Sequence, residues 1–353
     1  MAQSESRVLR AVLATPFIGL AIFCLGAMDT NKLIAQQQPF LEAGRIAWDG
    51  GSMPIFDRFY KVPFIDDIWR GITVTFSASY IPLDAIGWWQ LFSFLNDLGP
   101  LYSVWLLESC RVGNAWTPVY TVTVFTFIAQ LLGVGNVAPL YYFLHLTFAP
   151  SAATLKRSAK DRQLQSEQAL YLLPLFLSLH TFEVLRAYTA PEPETRQYWV
   201  WAWQMSPLWI GIANSLLGGL TAAVPALKSS TLASPRPLLA VMCAISSSTW
   251  AYTLYSSPYS LSDMFIPDPA VYLDFIGHTR KALQCDEVYS FGSSFLWLIY
   301  MFFDLYAAGL VGLESLVVSS LLPLVSAVTG PGTAFVMGWC WREQALSSHH
   351  KAN

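Results

Sequence analysis

The sequence predicts an all-α protein, built as a polytopic bundle of transmembrane helices. Of its 353 residues, 54% are hydrophobic and only 12% are charged, about half the typical charge of roughly 25% in a soluble domain. Apolar segments recur along the whole chain, and each is close to the roughly 20 residues that a helix needs to cross a bilayer. We therefore expect a single membrane domain over residues 1–353, with the lipid bilayer as a partner.

Apolar segments of this kind predict about nine spans, with a range of eight to ten. The first segment follows Arg7, and we interpret it as an uncleaved span because no small-residue cleavage site is evident. Gly133 and Pro139 interrupt residues 117–150, which form either a tight hairpin or one long kinked helix. Residues 71–85 either extend the second span or lie in the interface. The predicted spans are 8–28, 86–110, 117–133, 134–150, 168–187, 198–224, 236–255, 291–313 and 316–340.

The charges of the connecting loops predict the orientation of the bundle. Cytoplasmic loops carry an excess of Lys and Arg, and a cytoplasmic N-terminus places the basic loops inside. Residues 29–85 and 256–290 then form long acidic loops on the opposite side, and their many aromatic residues predict interfacial helices. Residues 343–353 form a polar C-terminal tail, and the expected compartment is the endoplasmic reticulum membrane.

Composition and motifs also exclude several classes of function. The net charge of −3 gives no basic footprint for nucleic acid. The five cysteines are odd in number and widely spaced, which predicts unpaired thiols and no zinc site. The sequence has no Walker A, HExxH or GxSxG motif. Because its aspartates also lack the Asn-x3-Asp-x3-Asp spacing of a metal-diphosphate site, we expect neither a metal nor another cofactor. The oligomeric state stays open.

The second predicted span carries two buried carboxylates. An ionisable residue inside a span costs about 2.5–3.5 kcal/mol on insertion scales, so each is a candidate site residue. Asn96 and Asp97 lie midway along the span, and Glu108 follows about three turns later on the same face, near Trp105. The structural alternatives are an interhelical hydrogen bond for Asp97 and a local ion pair of Glu108 with Arg111.

Histidines and a further carboxylate mark two other spans. His180 and Glu183 are three residues apart on one face of the fifth span. Glu183 could equally pair with Arg186 near the water, and His180 could be a satisfied core histidine. His145 on the fourth span is a further candidate with the same structural alternative.

Asp304 lies in the middle of the predicted span 291–313 and is the most enclosed carboxyl group of the predicted topology. Trp297, Tyr300 and Asp304 follow the spacing i, i+3, i+7 and therefore project from one helix face. An apolar environment favours the neutral form of a carboxylic acid. We therefore predict that Asp304 donates a proton and that Asp97 faces it across a cavity, although an interhelical hydrogen bond is the structural alternative.

These groups match the requirements of polyene cyclisation. That reaction needs one strong proton donor, an apolar cavity and aromatic faces, each of which attracts a cation by about 0.5–2 kcal/mol. No metal is required. The same side chains also suit a proton-coupled transporter, so physical reasoning alone leaves both functions open.

Three segments carry a resemblance to a known family. They are Asn96-Asp97-Leu98-Gly99-Pro100 with Glu108–Asn114, Gln130–His145, and Leu283-Gln284-Cys285-Asp286-Glu287. Together they resemble the fungal transmembrane terpene cyclases of meroterpenoid pathways, the type associated with ascofuranone, ascochlorin and macrophorin. The resemblance covers most of the chain at the level of span order. It implies cyclisation of a farnesyl chain on an aromatic or quinone-like core, often through a terminal epoxide.

The predicted function is therefore a membrane-bound, metal-independent terpene cyclase whose partner is a hydrophobic prenylated substrate. The alternatives are a small-molecule or proton-coupled transporter and a membrane prenyltransferase, which would need a diphosphate donor and magnesium. The choice of Asp304, Asp97 and Glu108 as catalytic carboxyl groups rests on physical reasoning and not on the resemblance. The substrate-binding candidates are Trp297, Tyr300, Trp105, His180, Glu183, His145 and Asn96. The ring system, its stereochemistry and the choice of epoxide or alkene stay open.

A topology map tests the predicted orientation. A glycosylation-acceptor reporter fused after Lys160 should stay unmodified on the cytoplasmic side, because Lys156, Arg157 and Arg162 surround that site. The same reporter fused after Ser260 should be glycosylated, and both fusions should remain in the membrane fraction. Glycosylation after Lys160 would overturn the orientation.

Overall fold

The computed structural model describes residues 6–81, 83–165, 171–223 and 235–348. In this part of the chain almost all secondary structure is helical, which confirms the all-α fold class. The helices are α1 Arg7–Leu13, α2 Thr15–Met28, α3 Thr30–Ala43, α4 Pro63–Tyr80, α5 Ala85–Ser109, α6 Val122–Leu132, α7 Val134–Phe148, α8 Ala152–Arg157, α9 Ala159–Arg162, α10 Leu172–Phe176, α11 Phe182–Thr189, α12 Pro193–Gln204, α13 Ser206–Ala223, α14 Pro235–Ser256, α15 Leu261–Phe265, α16 Phe275–Ala307, α17 Leu313–Ser319, α18 Leu322–Thr329 and α19 Pro331–Ser348. A π-helical turn, Leu177–Thr181, joins α10 to α11.

Three helical segments of the described chain are long and apolar enough to cross a membrane. They are Thr15–Ala43, which comprises α2 and α3, then Pro235–Ser256 and Phe275–Ala307. These helices are compatible with a membrane protein. The count of about nine spans, the organelle and the orientation of the N-terminus stay predictions.

The interrupted region 117–150 forms a helical hairpin, which was one of its two predicted alternatives. Gly133 separates α6 from α7 with a φ of +86°, a conformation that favours glycine. The ring of Phe125 on α6 lies 5.4 Å from that of Tyr141 on α7, so the two helices fold back on each other. A long kinked helix is therefore excluded.

Several predicted boundaries are wrong, and the predicted spans 8–28 and 198–224, for example, are each divided between two helices, at Ala14 and at Met205. Residues 275–290, predicted as part of a loop, form the first four turns of α16, because the Asp274 side chain accepts the Gly277 amide at 2.7 Å and caps the helix. Because these turns contain many polar residues, the sequence predicted a loop there. The predicted span 316–340 is divided among α17, α18 and α19, with Gly330 at a φ of +85° before the last of them.

The long segment 29–85 contains helices α3 and α4, whose predicted interfacial position stays a prediction, and also a small sheet that the sequence did not predict. Strands β1 Arg45–Trp48 and β2 Gly51–Pro54 pair antiparallel. Gln197 of α12 fixes this hairpin to the bundle, because its amide donates to the Pro54 carbonyl at 2.8 Å and its oxygen accepts from the Phe56 amide at 2.7 Å.

Helices α5, α7 and α16 form the centre of the bundle and run in the same direction. At one end Gln90 of α5 contacts Glu287 of α16, and further along Phe94 contacts Phe291. Trp105 of α5 then donates to the Tyr142 hydroxyl of α7 at 2.9 Å. From Gln90 onward every residue of α5 is buried, so this helix positions side chains on all of its neighbours.

The approach of α7 to α16 predicts that Gly135 cannot carry a side chain. A Cβ atom there would lie 2.7 Å from the Asp286 backbone carbonyl oxygen and 3.0 Å from its Cα. Backbone atoms cannot rotate away, so Gly135→Ala should destabilise the protein by about 1–3 kcal/mol through overpacking. Thermal unfolding of the detergent-purified protein measures this loss. Gly292→Ala is the matched control, because nothing lies within 4 Å of its Cβ position, and equal stability of both variants would contradict the close packing.

Candidate active site

A cavity of about 490 Å³ lies at one end of the central helices. Helices α3, α4, α5, α6 and α16 and the tip of the α6–α7 hairpin surround it. Its wall is mostly apolar and includes Leu33, Phe76, Phe94, Leu98 and Trp203. A few polar side chains converge on it, namely Gln37, Thr75, Tyr102, Gln130 and Asp286, together with Asp67 at its outer edge. Mostly apolar cavities of roughly 300–1,000 Å³ with a few polar groups are typical of small-molecule sites.

Asp286 is the buried carboxyl group of this cavity. Its Oδ1 accepts the backbone N–H of Gly135 at 2.6 Å, and the N–H of Val134 also points to it. These amides belong to the first turn of α7, where no intrahelical acceptor exists. A Cβ on Gly133 would lie 2.7 Å from Oδ1, so glycine lets the hairpin tip close around the carboxyl group.

Asp97 and Asp304 occupy equivalent positions at other helix starts. Asp97 Oδ1 accepts from the Ser246 hydroxyl at 2.5 Å and from the N–H of Gly332 in the first turn of α19. Asp304 Oδ2 accepts the N–H of Ala152 in α8 at 2.6 Å. The interhelical hydrogen bond that was the structural alternative for each of them is therefore present.

The structure does not place Asp304 and Asp97 across one cavity. Gln90 of α5 contacts Glu287 of α16, and the two helices run in the same direction. Seven residues further along each helix, Asp97 therefore lies at the same height as Ser294. Asp304 lies ten residues, about 15 Å, beyond Ser294 along α16. Asp304 is only half-buried and, with Tyr300, lines a separate pocket of about 120 Å³ beside α1. It is therefore not the most enclosed carboxyl group, because Asp97 and Glu108 are each 1% exposed.

Glu108 is the centre of a buried ionic cluster. Arg111 binds it in a bidentate manner at 2.9 and 3.0 Å, which shows the local pair considered for this residue. Arg342 of α19 donates to Oε1 at 2.8 Å, and the Trp339 indole donates to the same oxygen at 2.7 Å. Glu343 accepts from both arginines, so two positive charges balance two negative ones. This carboxylate links α5 to α19.

Three further candidates meet in an aromatic cluster beside these ions. His145 Nε2 lies 3.6 Å from Glu108, and its Nδ1 accepts from the Trp297 indole at 3.3 Å. Trp297 stacks on Tyr142, whose hydroxyl accepts from Trp105. Tyr300, one turn further along α16, packs against Phe17 and donates to the Leu13 carbonyl at 2.8 Å. Neither Trp105, His145 nor Trp297 lines the 490 Å³ cavity.

The remaining candidates lie close to the cavity or on its neighbouring helices. His180 Nδ1 accepts from the indole of Trp203, a cavity residue, at 3.1 Å. Glu183 is buried one turn later, and among the described residues it forms no ion pair with Arg186. The Asn96 amide donates to the Phe92 carbonyl of its own helix at 2.8 Å.

Sequence reasoning missed Asp286 and its glycine cradle as a site. Asp286 was assigned to a loop, and no pattern in the sequence indicates that it meets residues 151 positions away. A signal was nevertheless present, because two of the segments that carry the family resemblance meet here. Gln130–His145 contains the cradle, and Leu283–Glu287 contains Asp286.

Comparison with known protein families identifies the family of this chain. The model of the CtvD domain matches residues 30–347. The chain belongs to the CtvD-domain family. This family is linked to fungal meroterpenoid biosynthesis, and homologues of the chain are enzymes of secondary metabolism. No solved structure matches the chain significantly.

The curated relatives carry two kinds of name. The chain is 29% identical to the FAD-dependent monooxygenase verC1 of Penicillium polonicum, over 99% of this chain and 44% of that protein. It is 29% identical to the FAD-dependent monooxygenase anuJ of Penicillium roqueforti, over 98% of this chain and 42% of that protein. It is 30% identical to the terpene cyclase ascI of Acremonium egyptiacum, over 36% of this chain and 35% of that protein. The chain thus spans less than half the length of these relatives.

The described residues do not fit a flavin dinucleotide site. Such sites use a G-x-G-x-x-G/A turn that follows a strand of a parallel sheet. The run Gly133–Ala138 has the letters G-x-G-x-x-A, but it joins helix α6 to helix α7 and its amides contact Asp286. The only sheet in the described chain is the antiparallel pair β1–β2.

The ionic cluster predicts a large stability loss for Glu108→Gln. The substitution leaves Arg111 and Arg342 buried with Glu343 as their remaining carboxylate. Removing one partner of a buried ion pair typically costs about 3–5 kcal/mol. Thermal unfolding in detergent measures the change.

Arg58→Gln is the matched control for this prediction. It breaks an exposed pair with Asp67, and exposed pairs contribute little, so no measurable change in the melting temperature is expected. If Glu108→Gln unfolds at the same temperature as Arg58→Gln, the cluster does not stabilise the fold.

Proposed function

We propose that the chain is a membrane-bound, metal-independent cyclase of meroterpenoid biosynthesis. It protonates a terminal epoxide or alkene of a farnesylated aromatic or quinone-like substrate and folds the prenyl chain into rings. The observation that carries this proposal is the 490 Å³ apolar cavity, into which a single buried carboxyl group and several aromatic rings project.

The cavity wall suits both ends of such a substrate. The rings of Phe76, Phe94, Tyr102 and Trp203 can stabilise a carbocation that moves along the prenyl chain. The amides of Gln37 and Gln130 can hydrogen-bond to the oxygen atoms of a phenol or quinone. Apolar walls also keep water from the cation, which would otherwise be hydrated before a ring closes.

The comparisons support the same chemistry. One relative is named a terpene cyclase, and others, more than twice as long as this chain, are named FAD-dependent monooxygenases. Oxygenation of an alkene can supply an epoxide, and an acid-catalysed cyclase consumes an epoxide. A region that oxygenates and a region of this family would therefore catalyse chemically consecutive steps when they occur in one protein.

Product formation in detergent distinguishes the cyclase from a transporter. The purified protein should convert a farnesylated phenol or its terminal epoxide into a cyclic product of identical mass, since cyclisation needs no second compartment. Turnover should persist in excess chelator, which separates the reaction from magnesium-dependent prenyl transfer. Mass spectrometry and NMR of the product provide the measurement.

A pair of tryptophan substitutions tests whether the cavity is the reaction site. Leu98→Trp fills the cavity and should reduce kcat/KM by about tenfold or more, whereas Leu324→Trp alters a residue that is 70% exposed and should leave it unchanged. Wild-type protein that forms no cyclic product from either substrate would refute the proposal. Equal turnover of both variants would place the reaction elsewhere.

A further inference from the structure

We infer that Asp286 is the proton donor of this reaction, an assignment that rests on the proposed cyclase function. The choice follows from where the carboxyl groups lie. Asp97, Asp286 and Asp304 each accept an amide at the start of another helix. Of these three, only Asp286 lines the cavity that is large enough for a farnesylated substrate.

Three other carboxyl groups are less suited. Asp67 also lines the 490 Å³ cavity, but its side chain is 68% exposed and it forms an ion pair with Arg58 at 2.7 Å. Asp304 lines a pocket of about 120 Å³, well below the roughly 300 Å³ at which small-molecule sites begin. Glu108 is bound by two arginines, which hold it in the ionised form.

The two oxygens of Asp286 can perform different tasks. Oδ1 accepts the amide of Gly135 and the amide of Val134 also points to the carboxyl group, so we assign the proton to Oδ2. Proton transfer leaves a carboxylate, and the two N–H groups and the positive end of the α7 dipole stabilise that anion. These donors are in place before the reaction and need no reorganisation.

Neighbouring polar groups position the substrate against this acid. Tyr102 and Gln130 line the same part of the cavity, and Tyr102 lies close enough to Asp286 to interact with its charge. The backbone of Gly133 forms part of the wall directly at Oδ1. The reacting end of the substrate therefore approaches the acid between α5 and the hairpin tip.

Glu287, the next residue, has a different environment and serves as an internal comparison. Successive residues on a helix point about 100° apart. Glu287 Oε2 accepts from the Gln90 amide at 2.7 Å, and the side chain lines a second cavity of about 450 Å³ on another face of α16. The two carboxyl groups thus have equal depth in the bundle but different cavities.

The reaction is balanced without a co-reactant. Asp286 transfers its proton to the epoxide oxygen and the C–O bond at the more substituted carbon breaks, or it protonates the terminal alkene carbon. The π electrons of the substrate, or its own hydroxyl group, form the new bond to the cationic carbon. The proton released in the final step returns to the Asp286 carboxylate, so the product is an isomer of the substrate.

Substitutions at adjacent residues test the assignment. Asp286→Asn keeps an oxygen that can accept the Gly135 amide but removes the acid, so turnover should fall by about 10²–10⁴-fold. Asp286→Glu should recover part of that loss, and Glu287→Gln should keep near-normal turnover. Each variant is also tested for its melting temperature and for binding of a saturated, non-cyclisable analogue, which Asp286→Asn should retain.

The outcomes separate this inference from the proposed function. Wild-type protein without product refutes the cyclase function itself. If the wild-type protein forms product and Asp286→Asn forms it equally fast, only the assignment of the acid is refuted. The same holds if Asp304→Asn or Asp97→Asn loses turnover while Asp286→Asn remains active.

A labelling experiment on the wild-type protein covers the case in which Asp286→Asn does not fold. Dicyclohexylcarbodiimide reacts with protonated carboxyl groups in apolar surroundings. It should label Asp286 and abolish turnover, and the saturated analogue should protect both, as peptide mass spectrometry can show. Loss of turnover with the label on another carboxyl group, and none on Asp286, overturns the inference.

Discussion

Helices that begin inside an apolar bundle need acceptors for the amides of their first turn, and this requirement organises the structure. A buried backbone N–H that has no acceptor costs about 1–3 kcal/mol, because water cannot reach it. Aspartates from distant helices fill the role: Asp286 for α7, Asp304 for α8 and Asp97 for α19. Each contact joins two elements, so the caps also fix how the helices pack.

The two ends of the bundle differ in their chemistry. At one end Glu108 connects α5 to α19 through two arginines, and tryptophans and tyrosines pack beside this cluster. At the other end the hairpin tip and Asp286 border the 490 Å³ cavity. Rigid ionic packing at the first end holds α5 in place, and α5 carries Phe94, Leu98 and Tyr102 into the cavity wall.

Sequence patterns predicted the features that depend on residues close together in the chain, such as helix bounds and pairs one turn apart. The bounds of α5 and α14 lie within a residue of the predicted spans, and Arg111 pairs with Glu108 at the expected spacing. The acceptors at the helix starts lie at least 151 residues from their donors, so no periodicity reveals them. A buried aspartate therefore looks the same in sequence whether it caps a helix, as Asp97 does, or also lines a cavity, as Asp286 does. The polar turns at 278–287 appeared to be a loop for a related reason: their partners, such as Gln90, lie on other helices.

The helices of the α6–α7 hairpin are short compared with a bilayer. With 11 and 15 residues they reach about 16 and 22 Å, whereas a helix needs about 20 residues to cross the hydrocarbon of a bilayer. Neither is among the candidate spans of the described chain. The axial position of α7 is therefore set by its contacts with α16, and the hydrogen bond from Gly135 to Asp286 fixes its first turn.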